Sequence, residues 1–244
     1  MALLAQISDL HLDGSQRSTE RATRTIDYLR ALAQPPDALL VTGDIADNAA
    51  VTEYDEAATL FRLPFPVFTA PGNHDRRSPY RTALLGEPAG DDPINQVHES
   101  AGVSVLMCDS TIPGHDDGIL APDTLHWIDA TLAARTDAPA LLAFHHPPVA
   151  VHHPKPDSYR LGGLPDLHAL LARHPQVIAL ITGHAHTAAA ATFADRPVIV
   201  GPAITWTLRM PWEGPEIADL DQPPGIAFHV VHQRRLVTHF RVVP

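Results

Sequence analysis

The sequence predicts an α/β protein built on parallel strands, and two observations carry that prediction. Short apolar runs recur along the chain (Ala2–Ser8, Ala38–Thr42, Pro64–Ala70, Val103–Cys108, Ala140–Phe144 and Val177–Thr182) with little polar alternation, as strands buried on both faces require. Between several of these runs lie stretches with apolar residues at three- and four-residue spacing, and strand, helix, strand is the signal of a parallel βαβ crossover. A length of 244 residues suits one large domain, 1–244, with material for a substantial core.

Taken in order, Ala2–Ser8 is the first strand and runs into Asp9-Leu10-His11. Ser18–Gln34 has helical spacing at Ala22, Ile26, Leu29 and Leu32, and Pro35-Pro36 ends it because proline has no N–H to continue a helix. Ala38–Thr42 is the second strand, followed by Gly43-Asp44. Thr52–Phe61 reads as a helix and Pro64–Ala70 as the third strand, which enters Pro71-Gly72-Asn73-His74-Asp75. Arg76–Asp92 reads as loop with a short helix near Tyr80–Leu85. Val103–Cys108 is a strand, Pro122–Ala134 a helix with Leu125, Ile128 and Leu132 on one face, and Ala140–Phe144 a strand leading into His145-His146-Pro147-Pro148. Leu164–Arg173 is helical, and Val177–Thr182 runs into Gly183-His184-Ala185-His186. Pro197–Gly201, Gly225–Val231 and Arg235–Val242 are read as closing strands joined by short antiparallel turns.

Composition removes several function classes. The net charge of -11, from 17 Lys+Arg against 28 Asp+Glu, argues against gripping a nucleic acid polymer through many phosphate contacts. It allows a small anionic substrate if bound cations reverse the local field. No apolar run approaches the roughly 20 residues of a membrane helix, and Met1–Ile7 lacks the basic start of a signal peptide, so the expected location is the cytoplasm. Cys108 is the single cysteine, which rules out an internal disulfide framework and leaves any metal to oxygen and nitrogen ligands.

Five predicted strand ends therefore carry ligand-type residues: Asp9 and His11, Asp44, Asn73 and His74, His145, and His184 with His186. In open α/β sheets the carboxyl ends of the strands line one edge, where sites form. Two carboxylates, one amide and four imidazoles suit first-row cations such as Mn, Fe, Co or Zn better than Ca or Mg alone. Seven ligands exceed one tetrahedral zinc and fit two metals sharing a carboxylate, for which Asp44, standing alone, is the natural bridge.

Asp9-x-His11, Gly43-Asp44, Gly72-Asn73-His74-Asp75, His145 and Gly183-His184-x-His186 resemble, in order and spacing, the five signature blocks of the calcineurin-like metallophosphoesterase superfamily. Within it, Ser8–Leu12, the His145–Pro148 form and Pro223-Pro224-Gly225 look most like bacterial class III 3',5'-cyclic nucleotide phosphodiesterases. The resemblance implies a four-layer α/β/β/α sandwich with mixed sheets and two divalent or trivalent metal ions. One would take Asp9, His11, Asp44 and His186, the other Asp44, Asn73, His145 and His184. The pair would lower the pKa of a bridging water and orient it for in-line attack on phosphorus. His74 would stay off the metals and protonate the leaving alkoxide or bind an equatorial phosphoryl oxygen. His146 is expected to pack or support the ligands, and Asp75 either to orient His74 or to be a solvated turn carboxylate.

Substrate choice is expected in the loops Ile112–Leu120, Val149–Leu164 and Pro202–Pro224. The last, residues 202–224, is also a candidate small cap or homodimer contact. His115, His152, His153, Trp206 and Trp212 in these loops have no assigned role, although either tryptophan could stack on a base. The function expected is hydrolysis of a small anionic phosphodiester, a cyclic nucleotide such as cAMP or cGMP. The alternative is another ester on the same site: a glycerophosphodiester, a 2',3'-cyclic nucleotide or a nucleoside monophosphate. A non-catalytic scaffold would be expected to have lost a ligand or His74, and neither is missing.

Overall fold

The computed structural model describes all 244 residues. Strands β1 (Ala2–Ile7), β2 (Ala38–Thr42) and β3 (Val67–Ala70) run parallel, with helices α1 (Gln16–Arg30) and α2 (Val51–Leu60) as their crossovers. The Ser15 side chain accepts the Ser18 N–H to start α1. The helix stops at Arg30, with Ala31 as its C-cap, four residues before the predicted end at Gln34. After β3, helix α3 (Arg77–Tyr80) widens into a π-turn at Arg81–Leu85 that ends on left-handed Gly86.

The second half contains β4 (Gln96–Ser100), β5 (Val103–Met107), α4 (Pro122–Ala133), β6 (Ala140–Ala143), α5 (Pro154–Asp157), α6 (Leu164–Arg173), β7 (Val177–Thr182), β8 (Ala189–Phe193) and β9 (Arg196–Val200). A small ribbon of β10 (Thr207–Leu208) and β11 (Ala218–Asp219) precedes β12 (Gly225–His232) and β13 (Arg235–Val242). The strands form one sheet in the order β13-β12-β1-β2-β3 and another in the order β4-β5-β6-β7-β9-β8.

Alternation along each strand divides the core into three apolar layers. Leu4 and Leu40 face Val105, Leu141 and Ile181 across the gap between the sheets. Ala5, Ile7, Leu39 and Val41 point the other way, onto Ala22, Ile26 and Leu29 of α1 and Tyr54 of α2. On the far side, Leu106, Leu142 and Leu180 meet Ile128 and Leu132 of α4 and Leu167, Leu170 and Leu171 of α6. The result is the expected α/β/β/α sandwich with mixed sheets.

Further features depart from the sequence reading, among them the β10–β11 ribbon inside what read as the loop 202–224. Strands β4 and β8, absent from it, pair antiparallel with β5 and β9 through two-residue turns at Ala101-Gly102 and Ala194-Asp195, all with positive φ. Such turns normally announce themselves by Asn-Gly or Asp-Gly, and neither dipeptide is present here. The closing strands are not one antiparallel set. β9 lies in the second sheet, parallel to β7, and the chain then crosses to the first sheet, where only β12 and β13 form a hairpin. Finally, α5 is a short helix inside what read as loop.

One polar seam interrupts the apolar layer between the sheets. His229 shares its Nε2 proton with Gln6 Oε1 at 3.1 Å and accepts from the Thr238 hydroxyl at 2.9 Å, while Gln6 Nε2 donates to Thr42 Oγ1 and the Thr182 carbonyl. Burial pulls the His229 imidazole down to about 3. Its folded value lies below the unfolded one, so the unfolded chain takes up the proton first. The contribution of the neutral ring is complete above about pH 6.5 and is lost progressively as pH falls toward 3. The loss amounts to about 2 kcal/mol at pH 5. His229→Gln is therefore expected to shrink the difference in urea-unfolding free energy between pH 7 and pH 5 by about that amount; an unchanged difference would count against this seam as a source of acid lability. No helix is long and apolar enough to cross a membrane.

Candidate metal centre

The seven candidate ligands stand on the loops that leave β1, β2, β3, β6 and β7. They do not line a single sheet edge as expected. The carboxyl ends of β1–β3 in one sheet meet those of β6 and β7 in the other, and the site forms where the two faces part. Asp9, His11, Asp44, His184 and His186 all adopt positive φ, between 45° and 68°. Left-handed backbone is uncommon outside glycine and carries strain, and its concentration at strand ends marks a site held in place by its surroundings. Gly43 makes one such turn feasible: its φ is 96°, and a Cβ there would stand 2.5 Å from the His145 ring. A Cβ on Gly72 would collide with the Asp44 carboxylate.

The side chains fall into two groups that share Asp44. Its Oδ2 lies 3.4 Å from His11 Nε2 on one side and 3.3 Å from His145 Nε2 on the other. In the first group, His11 Nε2 and His186 Nε2 are 3.2 Å apart, and His186 Nε2 is 3.6 Å from Asp9. In the second, His145 Nε2 and His184 Nδ1 are 3.2 Å apart, each 3.1 Å from Asn73 Oδ1.

Tautomers test whether this set fits metal. His145 Nδ1–H donates to the Thr42 carbonyl at 2.8 Å, His186 Nδ1–H to the Trp206 carbonyl at 3.2 Å, and His11 Nδ1–H to Asp47 Oδ1 at 2.9 Å. Those acceptors cannot donate back, so each neutral ring aims its Nε2 lone pair inward at other lone pairs and at carboxylates. His184 Nε2 is buried without a hydrogen-bond partner, which leaves Nδ1 as its inward atom. Nitrogen and oxygen atoms converging at 3.1 to 3.6 Å could hold a cation between them, and the mixture of imidazole, carboxylate and amide fits first-row metals.

Electrostatics point the same way. Burial pushes the Asp9 carboxyl up to about 6 against the opposing pull of His145. Burial resists ionisation of Asp44 too, yet His145 and His11 hold it well below the usual carboxylate range. Burial opposes charge on His145, but the Asp44 carboxylate pushes it up to about 9. Burial and repulsion from His145 pull His184 down to about 3. The cluster is thus an anionic field that favours positive charge at its centre.

His74 sits at the rim with its backbone N–H on Asp44 Oδ1 at 2.9 Å and its Nδ1 on the Asp47 carbonyl at 2.8 Å. That leaves Nε2 for the cavity. By distance alone it could also join His11 and Asp44 around a cation. His146 differs from the ligand candidates, since Nε2–H donates to the Asp116 carbonyl at 3.1 Å and Nδ1 accepts from Ser110 at 2.8 Å. With both nitrogens engaged it packs behind His145 and His184. Asp75 does not reach the His74 ring as expected. It is buried and accepts the N–H groups of Gly72, Ile45 and Ala46, tying the loop after β3 to the loop after β2. Both of its oxygens are taken up by those backbone N–H groups.

The sequence reading missed Asp47. Its carboxylate fixes the His11 tautomer and its carbonyl holds His74, with the carboxylate 3.6 Å from the same nitrogen. The only signal for it was a second aspartate three residues after Asp44. Asp47→Ala is expected to weaken metal binding about 10- to 100-fold, as loss of a hydrogen bond behind a ligand histidine does; metal titration of the purified variant measures it.

A cavity of about 240 Å³ opens onto the cluster and takes residues from all three loops expected to set substrate choice: Asp116; Lys155, Pro156 and Tyr159; and Trp206 and Leu208. His115, His152, His153 and Trp212 do not line it; His153 instead caps α5 by accepting the Lys155 N–H. Arg77 is taken up by Asp109 and by the carbonyls of Asp91 and Thr111.

A family model described as calcineurin-like phosphoesterase matches residues 2–188. The chain is 34% identical over 222 residues to a protein of Rhodococcus erythropolis named probable cyclic nucleotide phosphodiesterase, covering 84% of this chain and 71% of that one. It is 29% identical over 213 residues to a glycerophosphodiester phosphodiesterase of Enterobacter lignolyticus, covering 82% of this chain and 77% of the relative. Among solved structures, a dimetal phosphatase from Danio rerio superposes with a TM-score of 0.74 at 15% identity, covering 100% of this chain and 96% of that one, a likeness of fold alone.

Proposed function

The chain belongs to the calcineurin-like phosphoesterase family, and from that premise we propose that it is a dinuclear-metal phosphodiesterase acting on a 3',5'-cyclic nucleotide. The observation that carries the reading is the pair of ligand groups sharing Asp44, with the uncommitted Nε2 of His74 beside them at the cavity wall. Asp9, His11, Asp44 and His186 would hold one cation and Asp44, Asn73, His145 and His184 the other, drawn from Fe, Mn, Zn or Co. Two such cations supply Lewis acidity to the phosphoryl group and an activated water as nucleophile.

The chain's own residues supply the rest. Asp47 keeps His11 in the tautomer that offers Nε2 and anchors His74 through Nδ1. His74 then has Nε2 free to pass a proton to the departing alkoxide, a transfer worth about 10²- to 10⁴-fold in rate. Asp75 and the backbone N–H groups it binds keep the two loops in register, so that Asn73 and Asp44 both stay against His145 Nε2. The similarity to a protein named as a cyclic nucleotide phosphodiesterase supports the substrate class.

A second reading, cleavage of glycerophosphodiesters on the same residues, is favoured by the relative of that name. A substrate panel separates the diester cleavage common to both readings from monoester cleavage. Manganese-loaded protein is expected to cleave cyclic AMP and bis(p-nitrophenyl) phosphate faster than p-nitrophenyl phosphate. If both diesters stay intact the proposal fails, and faster cleavage of the monoester would make the enzyme a phosphomonoesterase.

A further inference from the structure

The geometry points to an aromatic-base slot above the metal cluster, formed by Tyr159 and Pro156 from the α5 segment and by Trp206 and Leu208 from the segment before β12. The inference rests on the phosphodiesterase reading and narrows it, since this slot selects esters that carry a nucleobase over those that carry glycerol.

These residues belong to two segments distant in sequence, yet all line the cavity that contains Asp44, Asn73 and His74. Each segment is tied down by backbone hydrogen bonds. Trp206 is stacked on the His186 ring at a centroid distance of 3.8 Å and 24° between planes, and its carbonyl receives the His186 Nδ1–H. Thr205 N–H binds the Asp9 carbonyl and Leu208 N–H the His186 carbonyl. The indole is therefore held at a fixed distance from the position of the reacting phosphate. On the other segment, Leu161 N–H binds the Pro147 carbonyl, Gly162 N–H binds the Gly118 carbonyl, and Asp157 accepts the Val151 N–H at 2.8 Å. Tyr159 is thus carried on a short, anchored element.

The polar tips of the slot are free. Trp206 Nε1, the Tyr159 hydroxyl and Lys155 Nζ have no hydrogen-bond or ion-pair partner within the chain, although all three side chains line the cavity. Rigid aromatic bodies with unpaired donors match a planar heteroaromatic ring that offers a face to stack on and ring nitrogens to accept hydrogen bonds. A glycerol group offers neither, and it would leave the aromatic faces wet. The cavity's modest size, about 240 Å³, fits a small ester rather than a polymer or a lipid tail.

The experiment compares cyclic AMP with glycerophosphoethanolamine on metal-loaded wild type, Tyr159→Leu and Tyr159→Phe, with metal content measured on each. The ratio of the two kcat/KM values is expected to fall roughly tenfold or more in Tyr159→Leu and to be largely restored in Tyr159→Phe, which keeps the stacking face; loss of one stacked base spans about that range. Calorimetric binding of adenosine 5'-monophosphate and glycerol 3-phosphate to the same proteins gives a readout independent of turnover, with the nucleotide alone expected to weaken in Tyr159→Leu. A wild type that cleaves neither diester but shows this nucleotide-specific loss would sink the phosphodiesterase reading and keep the slot. Equal effects on both ligands, or no effect, at full metal content would overturn the slot and leave the phosphodiesterase reading standing.

Discussion

Asp44→Asn is expected to give a folded protein that retains less than one cation per chain and loses at least about 10³-fold in kcat/KM. The reason is geometric. Asp44 Oδ2 stands 3.4 Å from His11 Nε2 and 3.3 Å from His145 Nε2, so one oxygen faces both proposed ligand groups. An amide preserves the shape and the acceptor for the His74 N–H but removes the negative charge and one oxygen lone-pair site. Each cation then loses a ligand and the charge that offsets its own, and two-metal catalysis needs both. Elemental analysis after gel filtration gives the metal count. Retention of two cations at near-normal turnover would mean that Asp44 is not shared.

His74→Ala is the second large effect and has the opposite metal signature. Turnover is expected to fall about 10²- to 10³-fold, within the range for loss of a positioned general acid, while two cations per chain remain. His74 is tied to the site by its backbone N–H on Asp44, which alanine keeps, and by Nδ1 on the Asp47 carbonyl, which does not touch the ligand atoms. The loss should be smaller for bis(p-nitrophenyl) phosphate, whose leaving group needs no proton, than for cyclic AMP. If metal is lost in parallel with activity, His74 is a ligand, an assignment its proximity to His11 and Asp44 also permits. Measuring both quantities on one preparation decides the matter.

The two variants differ because of where charge resides. Asp44 is buried among imidazoles, where charges interact strongly; His74 is partly exposed, its side chain at 40%. The same contrast explains why Asp47, at the rim, is expected to tune metal affinity rather than abolish it.

The apolar runs and their spacing determined much of this protein by themselves. A run buried on both faces has no polar alternation, so β1, β2, β6 and β7 could be read directly, and with them the placement of Asp9, Asp44, His145 and His184 at strand ends. Strands β4 and β8 were not legible because their turns reach positive φ with Ala-Gly and Ala-Asp in place of Asn-Gly or Asp-Gly. Only the tertiary structure decided the rest. The division of the strands between two facing sheets depends on which faces bury against each other, a long-range matter that local pattern does not encode. So does the separation of His146 from His145, set by Ser110 and the Asp116 carbonyl. Asp47 holding His11 and His74, Asp75 bracing the β2 loop, and Tyr159 meeting Trp206 at one cavity all join residues far apart in sequence. Ligand type is a property of single residues and could be read along the chain; partnership is a property of pairs, fixed only when packing brings them together.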